Sequence, residues 1–236
     1  MKVYLKNIKH YFLTVDTNGE RKKHMVDEFR EYDLTEVNPI LDENRFKSGA
    51  VGFSRMIDLA LRNQDRNKPF QPFVLYEDDC SKYREFPEYI EVPDDSDFVY
   101  IGISVGCMHE NENESHTGCY FKIVNDSVVR IYNMLSAHGI MVCSASGALA
   151  IQKALFECYY KGIPWDIYIA YIQPYYNVYA LKTPLVYQDG RYGGQECPTR
   201  FVIDLNHDNL IPKDYINTTG LSIITCSNSS NTLIIN

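Results

Sequence analysis

The sequence predicts an α/β fold with a mixed, mainly parallel central sheet flanked by helices and a smaller antiparallel part in the second half. Strand-like and helix-like segments alternate over the first half, which favours parallel strands joined by helical crossovers. Residues 73–76 form a short continuous apolar run, typical of a strand buried on both faces. Residues 119–124 and 127–132 look like two paired antiparallel strands.

The amino-acid composition limits which classes of protein this chain can belong to. The 236 residues are 45% hydrophobic and 23% charged, as expected for a globular chain with a sizeable core. The net charge of −8 excludes a protein that coats a polyanion, so no nucleic-acid partner is expected. Seven scattered cysteines without a CxxC pair indicate free thiols. With neither a membrane span nor a signal peptide recognisable, we expect a soluble cytoplasmic protein.

The first half divides into strands and helices by its apolar periodicity. The helix over 20–32 is polar outside and buries a stripe that includes Met25 and Phe29. The predicted order is strand 10–15, turn 16–19, helix 20–32, extended segment 34–40, helix from 48–52 to about 63, strand 73–76, loop 87–97 and strand 98–102.

The second half begins with a polar, acidic segment, 107–117, that we interpret as a surface loop or lid. Ser144 or Ser146 is suited to cap the helix that follows strand 139–142, and Trp165 opens another helix after Pro164. Later elements are strands 176–181 and 185–187, a glycine-rich loop at 188–198 and a strand at 200–205. Without a repeat or a linker, we expect a single domain over 1–226, with halves 1–104 and 105–226, and a polar tail over 227–236.

Three consecutive carboxylates, Glu77, Asp78 and Asp79, follow the buried strand 73–76. Their mutual repulsion falls if a divalent cation lies between them and a substrate phosphate. In open α/β sheets, ligands bind just outside the carboxyl ends of strands. The pattern therefore indicates a metal site, and the alternative is a solvated acidic turn.

The end of the first strand offers a second set of candidates. Thr14, Val15 and Asp16 lie where a base or ribose binds in a doubly wound sheet. Arg21, in the first turn of the next helix, could reach a phosphate, although a solvated helix start is the alternative.

Two glycines, Gly49 and Gly52, are spaced as G-x-x-G before a predicted helix, where they permit a close backbone approach or tight packing. Arg55 is the charged residue on the first turn of that helix.

Four later residues remain ambiguous. His138 and Gly139 precede a strand, where a lone histidine is commonly a structural hydrogen-bonding group. Asp166 is either a charge favoured by the helix dipole or a catalytic carboxylate. His207, after the last predicted strand, could supply a nitrogen ligand to a metal.

The order of these motifs resembles that of GT-A fold glycosyltransferases, which have a Rossmann-like sheet. It is most similar to the lipooligosaccharide and collagen galactosyltransferases of family 25 and to small glycosyltransferase-like proteins of large algal DNA viruses. The resemblance spans residues 9–205 and is one of pattern. It is carried by Gly49 and Gly52, the Glu77-Asp78-Asp79 end of the strand, His138-Gly139, Pro164-Trp165-Asp166 and Pro184-Leu185-Val186-Tyr187-Gln188.

The resemblance implies a hexosyltransferase that uses a nucleotide-diphosphate sugar, most often UDP-linked, with Mn²⁺ or Mg²⁺ and a glycan or glycoprotein acceptor. Residues 1–104 would bind the nucleotide and 105–226 the acceptor, in the host cytoplasm if the protein is viral. The implied roles are metal ligation for Asp79 with Glu77 and His207, catalysis for Asp166 with Asp78, and donor binding for Thr14, Val15, Asp16, Arg21, Gly49, Arg55, His138 and Gly139.

The sequence departs from the bacterial members after Gly52, where Arg55-Met56-Ile57 replaces a Leu-Ser-His segment. The donor sugar and the stereochemical outcome therefore stay open. Two other functions also stay open: a metal-dependent phosphoryl or nucleotidyl enzyme that uses the same carboxylates, and a non-catalytic carbohydrate-binding protein.

Overall fold

The structure is a computed structural model that describes residues 1–15, 19–103, 106–107, 116–117, 120–193, 224–226 and 233–235. Its α-helices are α1 (Glu20–Glu28), α2 (Arg45–Arg62), α3 (Ala145–Lys161) and α4 (Trp165–Ile172). The strands up to the middle of the chain are β1 (Lys2–Tyr4), β2 (Lys9–Leu13), β3 (Asp33–Val37), β4 (Phe73–Glu77), β5 (Cys80–Lys82), β6 (Tyr89–Glu91), β7 (Phe98–Tyr100), β8 (Gly106–Cys107) and β9 (His116–Thr117). The later strands are β10 (Tyr120–Ile123), β11 (Val128–Asn133), β12 (Gly139–Val142), β13 (Val178–Leu181), β14 (Val186–Gln188), β15 (Ile224–Cys226) and β16 (Leu233–Ile235). Short 3₁₀ turns cover Leu5–Asn7, Gln173–Tyr175 and Gly190–Tyr192.

A mixed sheet of eight described strands forms the centre of the molecule, in the order β10-β11-β13-β7-β12-β4-β2-β3. β2 runs parallel to both β3 and β4, and β13 runs parallel to β7. β12 is antiparallel to β4 and β7, and β11 is antiparallel to β10 and β13. The predicted mixed α/β architecture is thus confirmed, whereas a mainly parallel sheet is not, since four of the seven described pairings are antiparallel.

The difference arises at β12, which enters between β4 and β7 from the opposite direction. Before β12, the chain visits the far edge of the sheet through the hairpin β10–β11. Alternation of helices and strands in the first half predicts parallel crossovers there, but it does not specify where a later strand inserts.

Both faces of the sheet are covered at its middle strands, so β7, β12 and β13 are buried along their whole length. Alternate residues of β4 belong to separate cores, with Phe73 and Leu75 on one side and Val74 and Tyr76 on the other. The first core is shared with α2, α3 and α4. The second is shared with α1 and with the small strands β1, β5, β6 and β14.

α2 begins earlier than the sequence predicts. The Asn44 side chain accepts a hydrogen bond from the Phe46 backbone N–H, which starts the helix at Arg45. Gly49 and Gly52 therefore lie inside the helix and not in a loop before it. A short strand, β6, also occupies part of the predicted loop 87–97, where it pairs with β1.

Other predicted elements are confirmed. The Ser144 hydroxyl caps α3 by accepting a hydrogen bond from the Gly147 N–H at 2.9 Å, and α4 begins at Trp165. β10 and β11 form the predicted antiparallel pair.

Some predictions lie outside the described residues, namely most of the loop 107–117 and the strand 200–205. In the predicted tail, β16 pairs with β15. Among the described residues, no helix is both long and apolar enough to cross a membrane.

Candidate functional site

The carboxyl ends of β2 and β4 lie side by side, at the point where the chain connections lead to opposite sides of β2. Leu13 at the end of β2 is paired with Glu77 at the end of β4. From β2 the chain goes first to β3 on one side and then to β4 on the other. This is a topological switch point, where open α/β sheets form ligand-binding crevices.

Asp78 connects the elements at this crevice. Its Oδ2 accepts a hydrogen bond from the Thr14 hydroxyl at 2.7 Å, and its Oδ1 pairs with Arg21 Nη1 at 2.9 Å. The side chain is buried, so neither contact is strongly screened by water. Asp78 therefore fixes the first turn of α1 and the end of β2 against β4.

Asp79 differs from its neighbour because one of its oxygens is unsatisfied. The residue is 9% exposed, and its Oδ1 is buried without a hydrogen-bond partner among the described residues. Burial, followed by the charge of Asp78, raises the pKa of Asp79 to about 6, against the opposing effects of Arg21 and Gln188. An unpaired buried carboxylate oxygen is unfavourable unless a cation or a donor approaches it.

Glu77 is held next to Asp79 by Gln188, whose Nε2 donates to Glu77 Oε2 at 3.0 Å. Pairing of β14 with β5 places Gln188 opposite Cys80 and so beside the acidic residues. Burial raises the pKa of Glu77 well above its usual value, and the charges of Asp79, Asp166 and Asp78 raise it further. Glu77 and Asp79 thus form a pair of neighbouring carboxyl groups, and in both of them the ionised form is disfavoured.

Asp166 approaches the same site from α4, since its charge raises the pKa of Glu77. Burial raises the pKa of Asp166 as well, while its own backbone N–H and that of Ile167 counteract the rise. The preceding Trp165 packs on Phe53 of α2 with ring centroids 3.7 Å apart, which fixes the start of α4. Asp166 therefore lies close enough to the acidic strand end for its charge to affect Glu77.

The G-x-x-G pair packs helix α2 against its neighbours. A Cβ added at Gly52 would lie 2.2 Å from Leu13 Cδ1, so the helix contacts β2 more closely than alanine permits without a shift of the Leu13 side chain. A Cβ added at Gly49 would meet Trp165 Cδ1 at an ordinary 3.7 Å. Arg55 donates from Nη1 to the Asn38 carbonyl at 2.6 Å, just after β3.

His138 and Gly139 contribute to packing at the same end of the sheet. Burial lowers the pKa of His138 to about 4, and its Nε2 has no hydrogen-bond partner among the described residues. The imidazole lies against Gly102, where an added Cβ would be 2.5 Å from Nε2. The His138 carbonyl accepts a hydrogen bond from the Cys80 thiol, and a Cβ at Gly139 would strike Val186.

Several residues that organise the site were missed by sequence reasoning. Asp189 is buried, accepts a hydrogen bond from the Ser81 hydroxyl at 2.8 Å and donates its backbone N–H to the Asp79 carbonyl at 2.8 Å. Hydrogen bonds from Arg191 lower the pKa of Asp189. His24 of α1 stacks on Tyr192 with ring centroids 4.2 Å apart. These contacts depend on the pairing of β5 with β14, for which the sequence carries no local signal.

Two of the predicted site residues, Asp16 and His207, lie outside the described residues. Val15 is exposed just after the end of β2. Where the structure is described, no three His, Cys, Asp or Glu side chains form a ready metal-binding group. An oxygen-preferring ion at Asp79 and Glu77 would need further ligands from water or from a substrate.

Neither a protein-family model nor a curated protein matches this chain in sequence.

Proposed function

We propose that the chain is a metal-dependent glycosyltransferase of the GT-A type, which transfers a sugar from a nucleotide-diphosphate donor, most simply a UDP-sugar, to a glycan or protein-linked acceptor. The observation that supports this most directly is Asp79 Oδ1, a buried carboxylate oxygen without a described partner, at the switch point between β2 and β4. Asp78 is already paired with Thr14 and Arg21, so Asp79 is the carboxylate left to bind a ligand.

The chemistry of the donor set fits a hard divalent cation. Asp79 would hold Mn²⁺ or Mg²⁺ directly and Glu77 would assist, because carboxylate oxygens are the preferred protein ligands of such ions. Mg²⁺ is commonly held by one or two carboxylates together with substrate phosphates, which agrees with the two carboxylates, Glu77 and Asp79, that the described residues offer. When bound, the ion would supply charge stabilisation to the departing diphosphate.

Residues around the crevice are suited to the nucleotide. The end of β2, with Thr14 and Val15, is the edge on which a base or ribose binds in doubly wound sheets. Arg21 carries its positive charge into the crevice from the first turn of α1 and is oriented by Asp78. Arg55 lies near the end of β3 and would approach the diphosphate from α2.

Asp166 is the candidate for handling the acceptor proton. Its pKa is raised by burial, which makes its carboxylate a better proton acceptor than an exposed aspartate. If the transfer inverts the sugar, Asp166 would take the proton of the acceptor hydroxyl. If the transfer retains configuration, Asp166 would instead bind sugar hydroxyl groups, with His138 and Gly139 supporting that side of the pocket.

A thermal-shift panel tests the proposal. Unfolding of the wild-type chain is followed with UDP-sugars and other nucleotide-sugars, each with Mn²⁺ and with chelator. We expect stabilisation by a UDP-sugar only when Mn²⁺ is present, and a ligand at 100 times its dissociation constant adds about 2.7 kcal/mol. Asp79→Ala should abolish the shift, whereas Asp126→Asn, on an exposed turn, should retain it.

Three results would count against the proposal. The first is a panel in which no nucleotide gives a metal-dependent shift. The second is metal-dependent turnover of nucleotides that carry no sugar, which would indicate a phosphoryl or nucleotidyl enzyme. The third is sugar binding indifferent to both Mn²⁺ and Asp79→Ala, which would indicate a non-catalytic carbohydrate-binding protein.

A further inference from the structure

Gln188 is a neutral polar side chain that adjoins both carboxylates of the proposed cation site. Its Nε2 donates a hydrogen bond to Glu77 Oε2 at 3.0 Å. It also lies close enough to Asp79 to oppose the rise in pKa that burial causes there. The amide of Gln188 is therefore next to the two side chains that are proposed to bind Mn²⁺ or Mg²⁺.

The backbone of Gln188 is held against the acidic strand end. In the pairing of β14 with β5, Gln188 lies opposite Cys80. The next residue, Asp189, donates its backbone N–H to the Asp79 carbonyl at 2.8 Å, and its buried carboxylate accepts a hydrogen bond from Ser81 at 2.8 Å. Because these contacts hold the main chain, the side-chain amide is the part of Gln188 that can turn without disturbing the strand pairing. Gln188 is half-buried, so its amide is accessible from solvent.

A primary amide can serve a pair of carboxylates in two ways. Through its nitrogen it donates hydrogen bonds to them, as Gln188 does to Glu77. Through its oxygen it can ligate a cation bound between them, since glutamine carbonyls are among the protein ligands of hard divalent cations such as Ca²⁺. The terminal torsion of glutamine is broad and roughly two-fold, so a half turn exchanges the nitrogen and the oxygen without moving the backbone.

We propose that Gln188 is a third protein ligand of the cation site, and that its amide turns over when the ion binds. In the metal-free protein Nε2 donates to Glu77, and in the loaded protein Oε1 contacts the ion together with Asp79 and Glu77. The two arrangements exclude each other, because an N–H group that faces a cation is repelled by it. The identity of the ion rests on the proposed function, whereas the role of the amide rests on its contacts. The buried Asp79 Oδ1, without a described partner, is an independent reason to expect an ion here.

Binding of Mn²⁺ alone, without nucleotide or turnover, tests the role of Gln188. Electron paramagnetic resonance distinguishes free from bound Mn²⁺ in titrations of the full chain. Gln188→Met keeps an unbranched side chain and removes both ends of the amide, so it should weaken Mn²⁺ binding at least about tenfold. Gln188→Glu retains an oxygen ligand but has no N–H group, so it should bind Mn²⁺ at least as tightly as the wild type.

The two variants distinguish a ligand from a donor that only orients Glu77. If Gln188 acts only as that donor, both variants lose it and should weaken Mn²⁺ binding alike. If the amide only competes with the ion, Gln188→Met should tighten binding. Either result would overturn the proposal, and so would an unchanged affinity in Gln188→Met.

Gln152→Met is the matched control. The Gln152 amide donates to Asp58 Oδ1 at 2.6 Å, which is the same kind of amide–carboxylate contact, formed between α3 and α2 at the surface. This variant should bind Mn²⁺ like the wild type. An equal loss of affinity in Gln152→Met and Gln188→Met would contradict a role specific to the site.

Nuclear magnetic resonance on the unaltered chain gives a readout that does not depend on the stability of a variant. Diamagnetic Mg²⁺ replaces Mn²⁺ in this experiment. The side-chain NH₂ protons of Gln188 should move to lower frequency as Mg²⁺ is added, because their hydrogen bond to Glu77 is lost. The NH₂ protons of Gln152 should stay in place. No movement of the Gln188 signals at saturating Mg²⁺ would overturn the proposal.

Failure of this inference is distinguishable from failure of the proposed function. Mn²⁺ binding that is lost in Asp79→Ala but unaffected in Gln188→Met would overturn the role of Gln188 alone. Mn²⁺ binding that depends on both residues, in a chain that no nucleotide-sugar stabilises, would support the role of Gln188 and count against the transferase. Absence of Mn²⁺ binding to the wild-type chain would overturn this inference, while the nucleotide-sugar panel decides the proposed function separately.

Discussion

The Thr14 hydroxyl donates a hydrogen bond to Asp78 Oδ2 at 2.7 Å. This bond joins the carboxyl ends of β2 and β4, the two strands at the topological switch point. The two residues are 64 positions apart in the sequence. Arg21 pairs with the other oxygen of Asp78, so both oxygens of this carboxylate hold neighbouring elements of the crevice together. In Asp79, by contrast, Oδ1 is buried and has no hydrogen-bond partner among the described residues.

Replacing Thr14 with valine keeps the shape of the side chain and removes the donor to Asp78. Since a buried carboxylate oxygen loses a hydrogen bond, the free energy of unfolding should fall by about 1.5–3 kcal/mol. Urea denaturation measures the change. Thr14→Ser retains a hydroxyl and should lose less than half as much, and equal losses in both variants would show that the methyl group matters instead.

Asp79 should make folding stability depend on pH when no divalent cation is present. Its pKa is raised from 3.8 to about 6 in the folded protein, so the folded state binds this proton more tightly than the unfolded state. The ionised form is therefore unfavourable to folding, and stability falls as pH rises through that window. Asp79→Asn removes this charge and should stabilise the protein by about 3 kcal/mol above pH 6.

The gain from Asp79→Asn should shrink as pH falls from 6 and disappear below pH 3.8, where the aspartate is protonated in both states. Denaturation of the two proteins in chelator, at a series of pH values, measures the difference. The exposed Asp126→Asn serves as the control and should show no such profile. A constant difference at all pH values would contradict a titrating carboxylate at position 79.

The two glycines of α2 should respond in opposite directions to alanine. Gly52→Ala should lower the free energy of unfolding by about 1–3 kcal/mol, because its Cβ would overlap Leu13. Gly49→Ala has space beside Trp165 and should stabilise the helix by about 0.5–1 kcal/mol.

A double-mutant cycle tests the contact at Gly52. Adding Leu13→Ala should recover part of the stability lost in Gly52→Ala. If the two losses of stability simply add, the alanine at position 52 does not clash with Leu13. Gly49→Ala also tests the donor site. If the backbone at Gly49 approaches the nucleotide, this stable variant should lose the Mn²⁺-dependent thermal shift.

Gln173 should be among the most sensitive positions for stability outside the site. Its buried amide accepts from the Met134 N–H at 2.7 Å and donates to the Met134 carbonyl and the Tyr100 hydroxyl at 2.8 Å. Gln173→Leu leaves these three groups without their hydrogen-bond partner and should lower the free energy of unfolding by about 3 kcal/mol or more. Tyr100→Phe removes a single bond and should lose about 1 kcal/mol. Denaturation of both variants gives the comparison, and equal losses would argue against the amide network.

Local sequence patterns determined where most strands and helices lie. The apolar run before Glu77 predicts β4, and the serine cap predicts the start of α3, because both features depend on nearby residues. The position of the acidic site at the end of β4 also followed from the sequence. What the sequence misplaced was the start of α2, where Asn44 caps the helix and leaves the two glycines within it.

Tertiary structure alone decided how the three carboxylates differ. Their distinction depends on partners far away in the chain: Thr14 and Arg21 pair with Asp78, and Gln188 pairs with Glu77. Sequence spacing cannot reveal these contacts, because they arise from the pairing of β2 with β4 and of β5 with β14. The acidic triplet was therefore readable from the sequence, while the burial and the unpaired oxygen that single out Asp79 come from the fold.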